Sequence, residues 1–82
     1  MRAVLDGARI LSAEQLHAEL KRQLSLPEWY GGNLDALYDC LMTMEDTELV
    51  LVNWPAVGYL QHAAQVMHDA AAENEKMKIT IE

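Results

Sequence analysis

With 82 residues, 51% of them apolar, the chain has room for one small core and is too apolar to stay disordered. A formal charge of −7 disfavours nucleic-acid and anionic-membrane binding, which need basic patches, and leaves a basic partner or plain solubility as its explanation. The lone cysteine, Cys40, excludes an internal disulfide and fits a reducing cytoplasm; the N-terminus lacks a long apolar run, and no segment approaches a membrane span, so a cytoplasmic location is expected.

Ala3-Val4-Leu5 reads as a short strand ended by the turn pair Asp6-Gly7, with an Asp-Gly hairpin into Arg9-Ile10-Leu11 as one continuation. Ser12 followed by Gln15 is a capping-box pattern, and Leu16, Leu20 and Leu24 give the helix it starts an apolar stripe, with Ala13 and His17 at its flanks. Leu26-Pro27 stops that helix, because proline cannot continue it and biases its predecessor toward extended backbone. Glu28-Trp29-Tyr30-Gly31-Gly32 then forms a loop, in which Trp29 is expected to be exposed and Gly31 to serve backbone conformation. Asn33 is a good N-cap for a second helix reaching about Glu45.

In that second helix Leu34, Leu37, Leu41 and Met44 form the stripe that faces a core. Asp35, Tyr38, Asp39 and Met42 form another. Asp35 and Asp39 are one turn apart and repel by roughly 0.2–0.5 kcal/mol. No Lys or Arg lies between Glu28 and Glu75 to relieve them, and only Asp35 sits close enough to the helix N-terminus to gain much from its dipole. An unpaired anionic ridge beside Trp29, Tyr30 and Tyr38 resembles a surface awaiting a cationic partner; the alternative is a solvated acidic face.

Leu49-Val50-Leu51-Val52 has no polar alternation and reads as a central parallel strand covered on both faces. Trp54-Pro55 marks a turn, and Ala56 to Glu73 is helical, with Leu60, Ala64, Met67 and Ala71 on one stripe; Gly58 allows a short helix followed by a longer one. Met77, Ile79 and Ile81 alternate with polar residues as a half-exposed edge strand. Strands separated by helices require crossovers. The expected fold is therefore α/β: one domain over residues 1–82, a three-stranded parallel sheet with helices mainly on one side, and the loop and second helix at the periphery.

The chemistry of the side chains points to binding. Asp35 and Asp39 have a separation compatible with a carboxylate pair, but they project from a convex helix in a domain with little wall to enclose a substrate, so no enzyme is expected. His17, His62 and His68 with one cysteine lack zinc-ligand spacing, and Gly31-Gly32 has neither the spacing nor the lysine of a phosphate loop. No metal or cofactor is expected. Cys40, between the apolar and acidic stripes, is expected to be a partly buried, inert thiol.

The run from Leu26 to Leu41, LPEWYGGNLDALYDCL, closely resembles the barstar family of intracellular ribonuclease inhibitors. The similarity is nearly continuous from Ala3 to Leu41, including Gly31, Asn33, Asp35, Asp39 and Cys40, and returns at Leu49-Val50-Leu51 and Ile79-Thr80-Ile81. The resemblance implies a barstar-like fold and an inhibitor, monomeric when free, that binds a basic, secreted, guanyl-preferring (barnase-type) ribonuclease one to one. It implies that Asp39 is the central contact and Asp35 a second, with Trp29, Gly31, Asn33 and Tyr38 around them; Met42 completes their stripe. For the last-helix contact acid it offers Asp69, or Glu73 if the gap is placed differently. The family carries Tyr at Trp29, Glu at Gly32, Trp at Tyr38 and Trp at Met44, and its segment after Val52 is longer. A module of the same fold that binds a basic partner other than a ribonuclease is the alternative.

Overall fold

The computed structural model describes residues 1–82. In chain order it contains β1 (Arg2–Asp6), a 3-10 turn (Gly7–Arg9), α1 (Ala13–Leu24), α2 (Leu34–Met42), β2 (Thr47–Val52), α3 (Gly58–Glu73) and β3 (Met77–Ile81). The strands form one parallel sheet in the order β1-β2-β3, with Val4 opposite Val50 and Val50 opposite Thr80. Sequential order combined with right-handed crossovers puts every connecting helix on the same face.

That face is built by residues of alternate parity. Ala3, Leu5, Leu49 and Leu51 are fully buried there, beneath Leu16, Leu20 and Leu24 of α1 and Ala63, Met67 and Ala70 of α3. Burying each such leucine favours folding by about 1.5–3 kcal/mol, and this apolar layer holds the domain together. β2 is the central strand, as its composition predicts, but only one of its faces is covered by helices. On the other, Val4 is 43% exposed, and Val50 is shielded between its cross-strand neighbours Val4 and Thr80. Cross-strand packing thus accounts for an apolar residue that the sequence pattern assigns to a second layer.

Two turns differ from expectation. Asp6-Gly7 makes no hairpin: the Asp6 carboxylate accepts from Ala8 N (2.9 Å) and from Asn53 Nδ2 (3.1 Å), capping a 3-10 turn and joining it to the loop after β2. Gly7 is buried against that loop, and an added Cβ would lie 2.7 Å from the Asn53 carbonyl and 2.9 Å from Pro55 Cδ. Beyond that loop α3 is one continuous helix that begins at Gly58, not Ala56, because the chain enters it through a left-handed turn at Gly58 (φ +75°).

The other boundaries follow local chemistry. Ser12 Oγ accepts from Gln15 N, and the Gln15 side chain reaches back to Leu11 N. α1 ends where Ser25 turns left-handed (φ 53°), with Ser25 and Leu26 both donating to the Lys21 carbonyl and Leu26 buried. Near the end of α1, Gln23 donates to the Val4 carbonyl (2.8 Å) and accepts from Val4 N (2.9 Å). Its amide stands in for a neighbouring strand and closes the free edge of β1.

Candidate functional site

α2 packs on α3 and makes little contact with the sheet, so it stands at the periphery as expected. Leu37 and Leu41 are fully buried and Cys40 nearly so, while Leu34 and Met44 pack partly against the core. The helix runs from Leu34 to Met42, shorter than the reach to Glu45 that periodicity suggests. Its C-terminus is closed by an outside clamp: Asn74, at the end of α3, donates to the carbonyls of Leu41 (2.9 Å) and Met44 (2.8 Å).

The opposite side of α2 bears the acids. Asp35 and Asp39 are both exposed, and neither takes part in any of the four ion pairs of the chain. Those pairs engage Arg2, Lys21, Arg22 and Lys76 with Glu48, Glu28, Glu19 and Glu45. Tyr38 and Met42 are half-buried, with part of each side chain on the core and part in solvent. Cys40 lies beneath the ridge; burial, and then the charge of Asp39, push its thiol pKa up, so it stays protonated and unreactive.

Before α2, Tyr30 N donates to the Pro27 carbonyl (2.9 Å), turning the chain so that neighbouring aromatics diverge. Trp29 points outward and is 78% exposed, whereas Tyr30 is buried. The two glycines divide their roles differently from the expectation: Gly32 takes the left-handed conformation (φ +67°), while Gly31 is not in that region and serves space. A Cβ on Gly31 would come within 3.3 Å of Asn33 Nδ2. Asn33 caps α2 through its side-chain oxygen, which accepts from Ala36 N (2.8 Å), and its Nδ2 group has no partner in the chain.

Of the eight residues singled out from sequence, Trp29, Gly31, Asn33, Asp35, Tyr38, Asp39 and Met42 occupy this continuous loop and helix. Asp69 is on α3, the helix against which α2 packs, exposed and taking a hydrogen bond from Gln65 (2.9 Å); Glu73, one turn on, is also exposed. Three open hollows of the surface are lined by residues outside the 29–44 segment, the two larger by mainly polar side chains.

Sequence reasoning missed a polar cluster under the loop. His17 on α1 is 5% exposed; its Nδ1 lies 2.5 Å from the Tyr30 hydroxyl and its Nε2 2.7 Å from the Tyr59 hydroxyl. Burial lowers the His17 pKa and, with smaller contributions from Cys40 and Tyr59, raises that of Tyr30. The three residues come from α1, the loop and α3, separations that leave no local pattern to read.

Comparison with known proteins agrees with this architecture. The family described as Barstar (barnase inhibitor) matches residues 1–82. A protein of Bacillus subtilis (strain 168), described as "Putative ribonuclease inhibitor YrdF", is 37% identical over 87 aligned residues that cover 96% of each chain. With its three-stranded parallel sheet, its peripheral second helix and a match over its whole length, the chain belongs to the barstar family.

Proposed function

We propose that this protein is a non-enzymatic inhibitor of a secreted, guanyl-preferring microbial ribonuclease, which it binds one to one. Family membership and the description of the Bacillus subtilis relative support ribonuclease inhibition in general. The observation that carries the finer reading is the ridge. Asp35 and Asp39 stand exposed on one helix face, without a cation, beside an outward tryptophan.

The physical logic is charge mimicry. A ribonuclease site gathers Arg, Lys and His to hold phosphates and to stabilise the charge that develops during cleavage. A carboxylate on a rigid helix occupies a phosphate position and accepts charge-assisted, often bidentate, hydrogen bonds from arginine. Asp39 takes that central place in our reading and Asp35 a neighbouring one. Trp29 and Tyr38 supply aromatic contact area, Met42 an adaptable apolar rim, and the free Nδ2 of Asn33 a donor beside the open backbone of Gly31. Asp69 adds a further carboxylate from α3. The excess of acid speeds encounter with a cationic enzyme, and salt weakens that effect.

The test is titration of a barnase-type ribonuclease with the protein at low and moderate salt, beside Asp39→Ala. Stoichiometric inhibition that weakens with salt and fails in the variant is expected. A folded protein that leaves the enzyme fully active at micromolar excess would sink the proposed specificity.

A further inference from the structure

We infer that His17 is a positioning residue: by bridging the hydroxyls of Tyr30 and Tyr59 it pins the Leu26–Asn33 loop to α1 and α3, and so fixes how Trp29 and Gly31 are presented to the ribonuclease. The capture role rests on the inhibitor reading above; the pin does not.

Between its ends, where Leu26 is buried and Asn33 caps α2, the loop has little else to hold it. Between Pro27 and Asn33 its one backbone hydrogen bond within the chain is Tyr30 N to Pro27 O, and the Lys21–Glu28 contact at 3.7 Å joins side chains that are 38% and 100% exposed, which makes it weak. Gly31 and Gly32 on the other side of Tyr30 add backbone freedom. Tyr30 is thus the loop's internal anchor, and its hydroxyl reaches only the imidazole. His17 packs between both phenol rings, with centroids 5.7 Å from Tyr30 and 5.9 Å from Tyr59.

A neutral imidazole suits this place. One ring nitrogen donates to one hydroxyl and the other accepts from the second hydroxyl, so both nitrogens are satisfied in either tautomer. The His17–Tyr30 bond is buried and the His17–Tyr59 bond partly so, and there a hydrogen bond left unmade costs more than a solvated one. Tyr59, 40% exposed, extends the bridge to the first turn of α3 and so ties α1 and α3 together under the loop. An ordered loop needs no ordering at encounter, so its contacts contribute more of their gross energy to affinity.

The experiment compares the wild-type protein with His17→Leu, His17→Gln and Tyr59→Phe. Leucine fills the site without a bridge. Glutamine offers one donor and one acceptor. Phenylalanine removes one hydroxyl at a half-exposed position and leaves the core intact. Amide exchange is followed at Tyr30 and at Leu49–Leu51 of β2 in the free protein, and the dissociation constant is measured with a barnase-type ribonuclease.

In His17→Leu the Tyr30 amide should exchange at least tenfold faster while the β2 amides keep their protection, and binding should weaken by at least threefold. Tyr59→Phe should move both readouts in the same direction by less, and His17→Gln should restore both toward wild type. Unchanged exchange at Tyr30 in His17→Leu overturns the pin. Faster exchange with unchanged affinity overturns its role in capture. A wild-type protein that fails to bind the enzyme overturns the inhibitor reading and the capture role together, and exchange at Tyr30 then decides the pin alone.

Discussion

Replacing Asn74 should loosen the platform on which the acidic ridge stands. Its Nδ2 group donates to the carbonyls of Leu41 and Met44 at the end of α2, and its Oδ1 accepts from Lys76 N (3.1 Å). Asn74→Ala removes all three bonds; the Leu41 carbonyl keeps the Met44 N–H (3.2 Å), while the Met44 carbonyl loses its donor. At about 1 kcal/mol for each lost bond, offset where water enters, the expected loss is about 2–3 kcal/mol. A chain of this size has about 4–12 kcal/mol of stability in total. At about 4–8 °C per kcal/mol, the midpoint of thermal unfolding should fall by roughly 10–20 °C. Asn74→Asp is the sharper variant. It keeps the shape and the acceptor for Lys76 N, yet it cannot donate and sets a carboxylate against two carbonyl oxygens. Urea unfolding followed by far-ultraviolet circular dichroism measures both. If packing rather than donation matters, the aspartate variant will resemble wild type; a loss under about 0.5 kcal/mol in both variants would refute the clamp.

Gly7→Ala should cost about 1–3 kcal/mol in the same assay, since the new methyl group meets backbone of the Asn53–Pro55 loop that cannot swing aside. Asp39→Asn should leave stability unchanged or raise it by up to about 0.5 kcal/mol, because it relieves repulsion by Asp35 and breaks no ion pair. A marked loss there would show the carboxylate to be structural. Stability should fall as pH drops below the ordinary imidazole range. The folded state holds the His17 pKa under its unfolded value, so between the two the unfolded chain binds more protons. Melting temperatures from pH 7.5 to 5.5 should show that slope, and His17→Gln should reduce it. Cys40 should react with a thiol reagent only slowly until denaturant exposes it, which a colorimetric thiol assay reads directly.

Local rules made much of the fold legible. Ser12 and Asn33 cap the helices they precede, the stripes Leu16-Leu20-Leu24 and Leu37-Leu41 are buried, and the unbroken Leu49-Val50-Leu51 run is the central strand of a parallel sheet. Each of these depends on residues within a turn or two of one another. The outward Trp29 and the unpaired Asp35 and Asp39 were legible for a similar reason: no cation lies near them in sequence, and none is brought to them by the fold. What sequence did not disclose are devices that join distant segments. Gln23 closing the β1 edge, Asn74 capping α2 and the His17 bridge span 19, 33 and 42 residues. Periodicity carries no information at those separations. The shield over Val50 was missed likewise, because a hydrophobic run does not say whether its cover is a helix or the neighbouring strands.

The same separation of roles explains how the ridge can remain unpaired. Residues 34–75 contain eight of the thirteen acids and none of the six Lys and Arg. The cations concentrate on α1 and at the N-terminal end of the sheet, where Arg2 pairs Glu48 and Lys76 pairs Glu45. The charge of −7 is therefore not spread evenly; its uncompensated part includes the exposed face of α2, and basic side chains are kept elsewhere. Stability comes from apolar burial beneath that face and from neutral hydrogen bonds at its edges, through Asn33 before the helix and Asn74 after it. Neutral fastenings hold α2 in place without consuming a carboxylate or bringing a cation near it. A partner's arginine or lysine would then meet Asp35 and Asp39 without first displacing an internal salt bridge, and substitutions that alter the ridge should change association far more than folding.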